Sequence, residues 1–343
     1  MPCPPPLPAR SLWTIFASDS LRPCQRRAKY LGLTGSPGEM YGGQAEDHAV
    51  HDQGAEAAGE GQEVLTTNWA PWPSTRRRWP LEVLVPGSVL STEQDLRDKT
   101  YKAGLISRTL AIFRVDAVTV FRDDETSDED LELLTELLRY QATPAHLRKL
   151  AFPLKDELRF AGLMPPLNLP NHEPPRKPYV GLVIDGLVTR REKDECEVFL
   201  GEIGVGRLPN CSEERGTIVT VSVASIEGDR LRLSRSSWGE TYVGYAVRAG
   251  GQLADEVKRL KSQGFAIIGT SRYGTTEYWR LKSFTGRPIA IIVGGPETGL
   301  LEYLNLKSLD LLLNSVPAQG TRTVRSEEAL MSTLAIVNAM ILS

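Results

Sequence analysis

Histidine and cysteine are scarce in this chain, four of each among 343 residues. Cys3 and Cys24 lie far upstream of Cys196 and Cys211, no Cys-x-x-Cys occurs, and no histidine sits at zinc-ligand spacing from a cysteine. No metal site is therefore expected, and the cysteines read as free thiols in a reducing cytoplasm. No run approaches the ~20 apolar residues of a membrane span, so no membrane partner is expected. The start, Met1-Pro2-Cys3-Pro4-Pro5-Pro6, lacks the charged flank and apolar centre of a secretory signal. Net positive charge is missing too. The chain has 40 Lys and Arg against 43 Asp and Glu, a formal charge of −3, so contact with nucleic acid has to come from a local basic patch. Nor does Gly-x-Gly-x-x-Gly follow the first strand, which argues against a dinucleotide-dependent oxidoreductase.

What is present suits an ordinary globular chain of roughly two domains of about 100–200 residues. Residues 1–78 differ from the rest. They carry scattered prolines, a Gly/Ala/Glu/Gln/His-rich stretch from Gly42 to Gln62 and little periodic hydrophobicity. They are expected to be disordered, or to be an upstream extension from a misassigned start codon. The cluster Arg76-Arg77-Arg78 could touch phosphate, but a solvated linker end is the favoured reading.

From Leu81 the pattern is α/β. Leu81–Pro86 reads as a strand, Ser91 with Gln94 as a capping box for a helix to about Phe113, and Val115–Phe121 as a second strand. A helix from about Ser127 to Gln141 puts Leu131, Leu134, Leu137 and Leu138 on one face. Its acidic start, from Asp123 to Asp130, suits a helix N-terminus and would repel RNA. Thr143, with Pro144 at the first position, is expected to cap a short helix.

Between about Met164 and Gly250 the pattern changes. A proline-rich linker leads to five short strand candidates, Tyr179–Ile184, Glu197–Ile203, Thr217–Val223, Arg230–Ser234 and Thr241–Val247. Residues 164–249 thus read as a small oligonucleotide-binding-like β-barrel inserted in one α/β domain made of 79–163 and 250–343. Arg190, Arg191, Arg207, Arg215, Arg230, Arg232 and Arg235, with Trp238, Tyr242 and Tyr245, are candidate phosphate contacts and stacking surfaces. An ordinary barrel with solvated arginines and core aromatics is the alternative. A helix from about Gln252 to Ser262 and a strand Phe265–Thr270 then resume the α/β pattern.

Two strand-end loops follow in succession. Ile289–Val293 opens into Gly294-Gly295-Pro296-Glu297-Thr298-Gly299, and Leu309–Val316 into Pro317-Ala318-Gln319-Gly320-Thr321-Arg322-Thr323-Val324-Arg325-Ser326-Glu327-Glu328. Successive loops of this kind suggest a cofactor site.

These two blocks, with Ile268-Gly269-Thr270-Ser271, resemble the SPOUT, or α/β-knot, methyltransferases, in particular their branch with an inserted β-barrel. The Arg-x-Val-Arg-x-Glu-x-Ala segment is also similar to that of SPOUT enzymes acting on uridine N3 of ribosomal RNA. The resemblance covers about Leu81 to Ser343. It implies a homodimeric RNA methyltransferase that holds S-adenosylmethionine in a trefoil knot, most naturally with ribosomal RNA as its partner. On that reading Thr270, Gly294, Gly295, Pro296, Glu297, Gly299, Leu313, Asn314, Ser315, Val316, Gly320 and Thr321 form the cofactor pocket. Arg322 and Arg325 stabilise developing charge or grip phosphate, and Glu327 orients an arginine or acts as base. Glu328 is read as helix-start charge compensation, and Arg272 joins Arg190, Arg191 and Arg207 as an RNA contact. His172 receives no role. A non-catalytic RNA-binding or ribosome-assembly protein keeping the fold is the alternative function.

Overall fold

A computed structural model of the chain describes residues 72–341. The expectation of disorder for residues 1–71 lies outside the described residues, but for residues 72–78 it is corrected. Thr75 bridges Thr241, and the Tyr242 N–H donates to Ser74 O at 2.9 Å.

The first part of the chain runs β1 (Leu81–Pro86), α1 (Leu96–Ile112), β2 (Ala117–Arg122), α2 (Asp128–Ala142) and α3 (Ala145–Ala151). Asp95, not Ser91, caps α1, accepting the Asp98 N–H at 2.8 Å. Ser91 is instead used to end the buried 3-10 turn Gly87–Leu90. Helix α2 starts where expected, and Ser127 caps it, accepting from Asp130 N. Thr143 stops α2 rather than starting α3: its hydroxyl donates to Arg139 O at 2.8 Å, and Pro144 holds it extended.

The barrel follows: β3 (Val183–Glu192), β4 (Glu195–Phe199), β5 (Val205–Pro209), β6 (Ile218–Glu227) and β7 (Arg230–Arg235) close in the order β3-β4-β5-β7-β6. Leu231 and Leu233 point inward while Arg230 and Arg232 point out, the period-2 alternation of a closed sheet. Five strands are expected and five close the barrel, but the set differs. Val205–Pro209 escapes the sequence pattern because Gly206 and Pro209 obscure its alternation; Gly206 is needed, since a Cβ there would lie 2.6 Å from the Leu233 side chain.

The last part comprises β8 (Ala246–Gln252), α4 (Leu253–Ser262), β9 (Ala266–Thr275), β10 (Ile289–Ile292), α5 (Leu300–Tyr303), β11 (Leu311–Leu313) and α6 (Ser326–Met340). The segment expected as the fifth barrel strand, Thr241–Val247, contributes its end to β8, an edge of the main sheet. That sheet has the order β11-β9-β10-β1-β2-β8 with every neighbour parallel. Its central strands are buried on both faces, which is why they read as unbroken apolar runs. Leu81, Val83 and Val85 pack on one side with α1, α2 and α6, and Leu84 packs on the other with α4 and α5.

Two further corrections concern the barrel region. Tyr242 and Tyr245 are not stacking surfaces: both are buried in the main core, Tyr242 donating to Val115 O at 2.9 Å and Tyr245 bonded to Ser107. Burial pushes both phenols well above their ordinary range. Cys196 and Cys211 are not free thiols but a disulfide inside the barrel, Cα–Cα 5.5 Å. Glu213 lies beside them, all three ligand atoms within 4.8 Å of one another, but joined sulfurs are not the thiolates a metal site needs. Trp238 is half-buried and donates to Asp185 Oδ1 at 2.9 Å, and the same carboxylate accepts from Asn171 Nδ2 (2.9 Å) and Thr220 Oγ1 (2.7 Å).

Candidate active site

From β1 the sheet grows outward to β2 and β8, and then to the other side through β10, β9 and β11. Ligands of open parallel sheets bind beyond the strand carboxyl ends at such a reversal. Four loops leave carboxyl ends here, after β1 (Gly87–Ser88), β2 (Asp123–Thr126), β10 (Gly294–Gly299) and β11 (Asn314–Thr321).

They are tied together by side chains. Ser88 donates from N to Thr126 Oγ1 (2.9 Å) and from Oγ to Asp123 Oδ2 (2.6 Å). Gly295 lies against that pair, and a Cβ there would be 2.9 Å from Asp123 Oδ2. Thr298 and Tyr303 both donate to Glu125 Oε1. Burial first, then Asp123 and Glu125, pushes the Tyr303 hydroxyl up to about 12. The acidic run is therefore split. Asp128 to Asp130 start α2, whereas Asp123 and Glu125 turn back onto the glycine loop instead of facing away from the site. No spacing signals this, because Ser88, Asp123 and Gly295 meet only through the parallel order of β2, β1 and β10.

Helix α6 joins the other loops. Ser326 Oγ donates to Gly294 O at 3.0 Å, and Ser315 Oγ meets Ser332 Oγ at 2.9 Å. The two sites lie six residues apart, a rise of about 9 Å along the helix. Asn314 is fully engaged in holding the loops: Nδ2 donates to Arg272 O (2.9 Å), Oδ1 accepts Val316 N (3.1 Å), and its carbonyl accepts Tyr278 OH (3.0 Å). Thr270 Oγ1 donates to Ile292 O (3.2 Å), and Leu313 is buried. Between Gly269 and Thr275 β9 leaves its register with β11, which resumes where Leu313 pairs with Thr275. A Cβ on Gly274 would lie 2.4 Å from the Leu313 carbonyl carbon, a close approach that no motif in the sequence marks.

Two of the three catalytic candidates, Arg325 and Glu327, meet in one ion network, and Arg322 stays outside it. Lys102 on α1 has a side chain only 6% exposed. Its Nζ lies 2.6 Å from Thr92 Oγ1, 3.1 Å from Glu93 Oε1 and 3.6 Å from Glu327 Oε2. Arg325 Nη1 reaches Glu93 Oε1 at 3.1 Å and Glu327 Oε1 at 3.8 Å. Two cations and two anions from α1, the preceding turn and the start of α6 thus neutralise one another, as burial demands. Lys102 and Arg325 draw the Glu93 carboxyl below its usual range against the opposing effect of burial. Arg325 remains 61% exposed, and its Nε and Nη2 have no partner among the described residues. Glu328 Oε2 accepts the Arg325 N–H at 2.9 Å, a helix-cap role. Arg322 is exposed on the same loop, and Arg272 stacks on Tyr273 at 5.0 Å. The network does not include Arg190, Arg191 or Arg207, which lie on the barrel.

The loops fit a nucleoside-bearing cofactor. The N–H groups of Gly294, Gly295, Glu297, Thr298 and Gly299 have no acceptor among the described residues. A Cβ on Gly299 or Gly320 would meet nothing within 4 Å, leaving room for a ligand against the backbone. Pro296 and the exposed Glu297 form the tip of the loop, and exposed Thr321 donates to Thr323 O.

Backbone donors at a sheet reversal, beside an ion network with an outward arginine, are what an α/β enzyme that binds a nucleoside cofactor needs. A family profile described as "Putative RNA methyltransferase" matches residues 80–337, and the chain belongs to this family of SPOUT-type RNA methyltransferases. Its methyl donor is S-adenosylmethionine. An uncharacterized protein of Halobacterium salinarum is 31% identical over 281 residues, 74% of this chain and 96% of that one. The human 28S rRNA (uridine-N(3))-methyltransferase is 29% identical over 305 residues, 76% of this chain and 78% of that one. An AdoMet-bound rRNA methyltransferase of Sinorhizobium meliloti aligns at 10% identity and a TM-score of 0.35 over 78% of this chain and 59% of that one, a likeness that carries no argument.

Proposed function

We propose that the chain methylates N3 of a uridine in ribosomal RNA. The observation that carries this is the Lys102–Glu93–Glu327–Arg325 network at the helix start that joins both cofactor loops. The human relative's name supports the nucleotide and the atom. Bound S-adenosylmethionine supplies a methyl group already activated by its sulfonium. The protein's task is then to orient N3 in line and to handle one proton. Glu327, held by Lys102 with Oε2 otherwise unpartnered, takes the N3 proton. The free guanidinium edge of Arg325 faces the negative charge that develops on the base, and Arg322 grips a phosphate.

In this reading Thr270, Gly294, Gly295, Pro296, Glu297, Gly299, Leu313, Ser315, Val316, Gly320 and Thr321 surround the cofactor, while Asn314 holds that wall in shape. Residues 79–163 and 250–343 form the knotted methyltransferase domain, and residues 164–249, with Arg190, Arg191 and Arg207, hold RNA together with Arg272. A homodimer is part of the same proposal. It is supported by the exposed Tyr101, Leu105 and Ile112 on α1 beside Met331 of α6, an apolar stripe that a second copy would cover. No helix among the described residues is long and apolar enough to cross a membrane. Action in the cytoplasm completes the proposal, and the Cys196–Cys211 bond is the observation that pulls against it.

Nucleoside mass spectrometry of ribosomal RNA from cells with and without the gene tests the reading. Loss of one methyluridine, restored by the wild-type chain but not by Arg325→Ala, is expected. An unchanged nucleoside profile would favour an assembly protein that keeps the fold. Arg325→Ala is expected to slow methyl transfer by about 10²–10³-fold, the cost of removing one charge-stabilising donor.

A further inference from the structure

Arg76, Arg77 and Arg78 do not form a solvated linker end. They line a cavity of about 240 Å³ at the amino ends of β1 and β10, together with Arg114, Arg287 and apolar side chains including Ile289 and Val337. This is the opposite edge of the sheet from the cofactor loops, separated from them by the length of β1, roughly 20 Å.

Arg77 and Arg114 have unusual partners. Arg77 donates to Phe113 O (3.0 and 3.1 Å) and to Asn338 Oδ1 (2.6 Å), and Arg114 Nη1 donates to Thr75 O at 3.1 Å. All are neutral acceptors, which fix a guanidinium without cancelling its charge. Arg77, Arg78, Arg114 and Arg287 have no carboxylate within ion-pair distance among the described residues. The acid nearest in influence is Asp116, whose Oδ2 accepts the Leu81 N–H at 2.8 Å. Burial, followed by repulsion from Arg114, lowers Arg77 to about 10, and burial pushes Asp116 up to about 6. Positive charge is therefore concentrated around this cavity against desolvation, and an anion would relieve it.

We propose that this cavity is an anion site that takes a backbone phosphate of RNA, giving the substrate a second anchor on the far edge of the sheet. Rigidly held guanidinium groups suit the forked recognition of phosphate oxygens. RNA as the source of the phosphate rests on the proposed function.

The test is a full-length Arg78→Glu/Arg287→Glu variant, both positions being exposed. A charge-matched Lys258→Glu/Lys261→Glu variant on α4 is the control. Binding of a fluorescein-labelled oligouridylate is measured between low and physiological salt. The cavity variant is expected to lose at least about tenfold in affinity at low salt. Its plot of log affinity against log salt should be shallower by about 1–2, at about 0.7 for each phosphate that the variant no longer neutralises. S-adenosylmethionine binding and turnover at saturating RNA should be unchanged. An unchanged slope, or an equal loss in the control, overturns the proposal. Inorganic phosphate should also raise the Tm of the wild type, but not of the cavity variant, above an equal ionic strength of chloride. Failure of the methyltransferase reading looks different: the wild type would bind RNA through these arginines yet transfer no methyl group.

Discussion

The barrel and the α/β sheet use charge in opposite ways. On the barrel the ion pairs are exposed. Arg190 meets Glu192, Arg207 meets Glu192 and Glu195, and Arg235 makes a two-pronged contact with Glu213. That last contact holds the Glu213 carboxyl below its usual range. The α/β part has surface pairs too, such as Lys258 with Asp255, but it also buries pairs, Lys102 with Glu93 and Glu327, and Glu82 with Arg259. Exposed pairs contribute roughly 0–1 kcal/mol, whereas removing one member of a buried set strands the others and costs several-fold more. The barrel's arginines can thus release their carboxylates with little loss of stability, while the buried network fixes its members in place.

The sharpest way to break this contrast is Lys102→Met. It removes the buried cation between Glu93 and Glu327 and leaves them only the exposed Arg325. Urea unfolding is expected to show a loss of about 3–5 kcal/mol, part of which returns in Lys102→Met/Glu327→Gln. A loss below about 1 kcal/mol would put the sheet network in the same class as the barrel pairs.

A second probe is pH, through Asp116. Its folded-state pKa, about 6, lies above the ordinary value of 3.8. The folded chain therefore binds more protons than the unfolded chain between those values, and stability falls as pH rises from about 4 to about 6. At neutral pH the penalty is on the order of 3 kcal/mol. Asp116→Asn should flatten that part of the stability profile, as read by thermal unfolding across pH. A profile with the wild-type slope would show that this carboxyl is not strained by burial.

The smallest expected effect is on the barrel. Arg207→Gln should change stability by no more than about 0.5 kcal/mol. RNA affinity should nonetheless fall, with a salt slope shallower by about 0.7. A stability loss like that of Lys102→Met would show that the barrel pairs are structural.

Much of the fold was legible in the sequence because local chemistry set it. Leu81–Pro86 is the strand it reads as, α2 starts beside Ser127, and the leucines of α2 lie on the face their spacing predicts. Legibility failed where two segments compete for one role. Ser91 and Asp95 are both possible caps, and the 3-10 turn at Gly87–Leu90 decides between them. Val205–Pro209 and Thr241–Val247 are both short extended stretches, and only closure of the barrel places the first inside it and the second at the sheet edge. At the site, the glycine loop, Arg325 and Glu327 could be picked out because they fall in one contiguous stretch. Lys102, Glu93, Ser88 and Asp123 could not, since each reaches the site from a distant part of the chain.

The sequence by itself determined the α/β pattern, the two successive strand-end loops and the family, because these rest on short-range periodicity, turn chemistry and contiguous motifs. Only the tertiary structure decided which charges are paired and which are not. The parallel strand order folds the acids after β2 onto the glycine loop, encloses Lys102 between two glutamates, and gathers arginines 76–78, 114 and 287 around one cavity. Charge interacts through space and burial, and neither can be read from residue spacing.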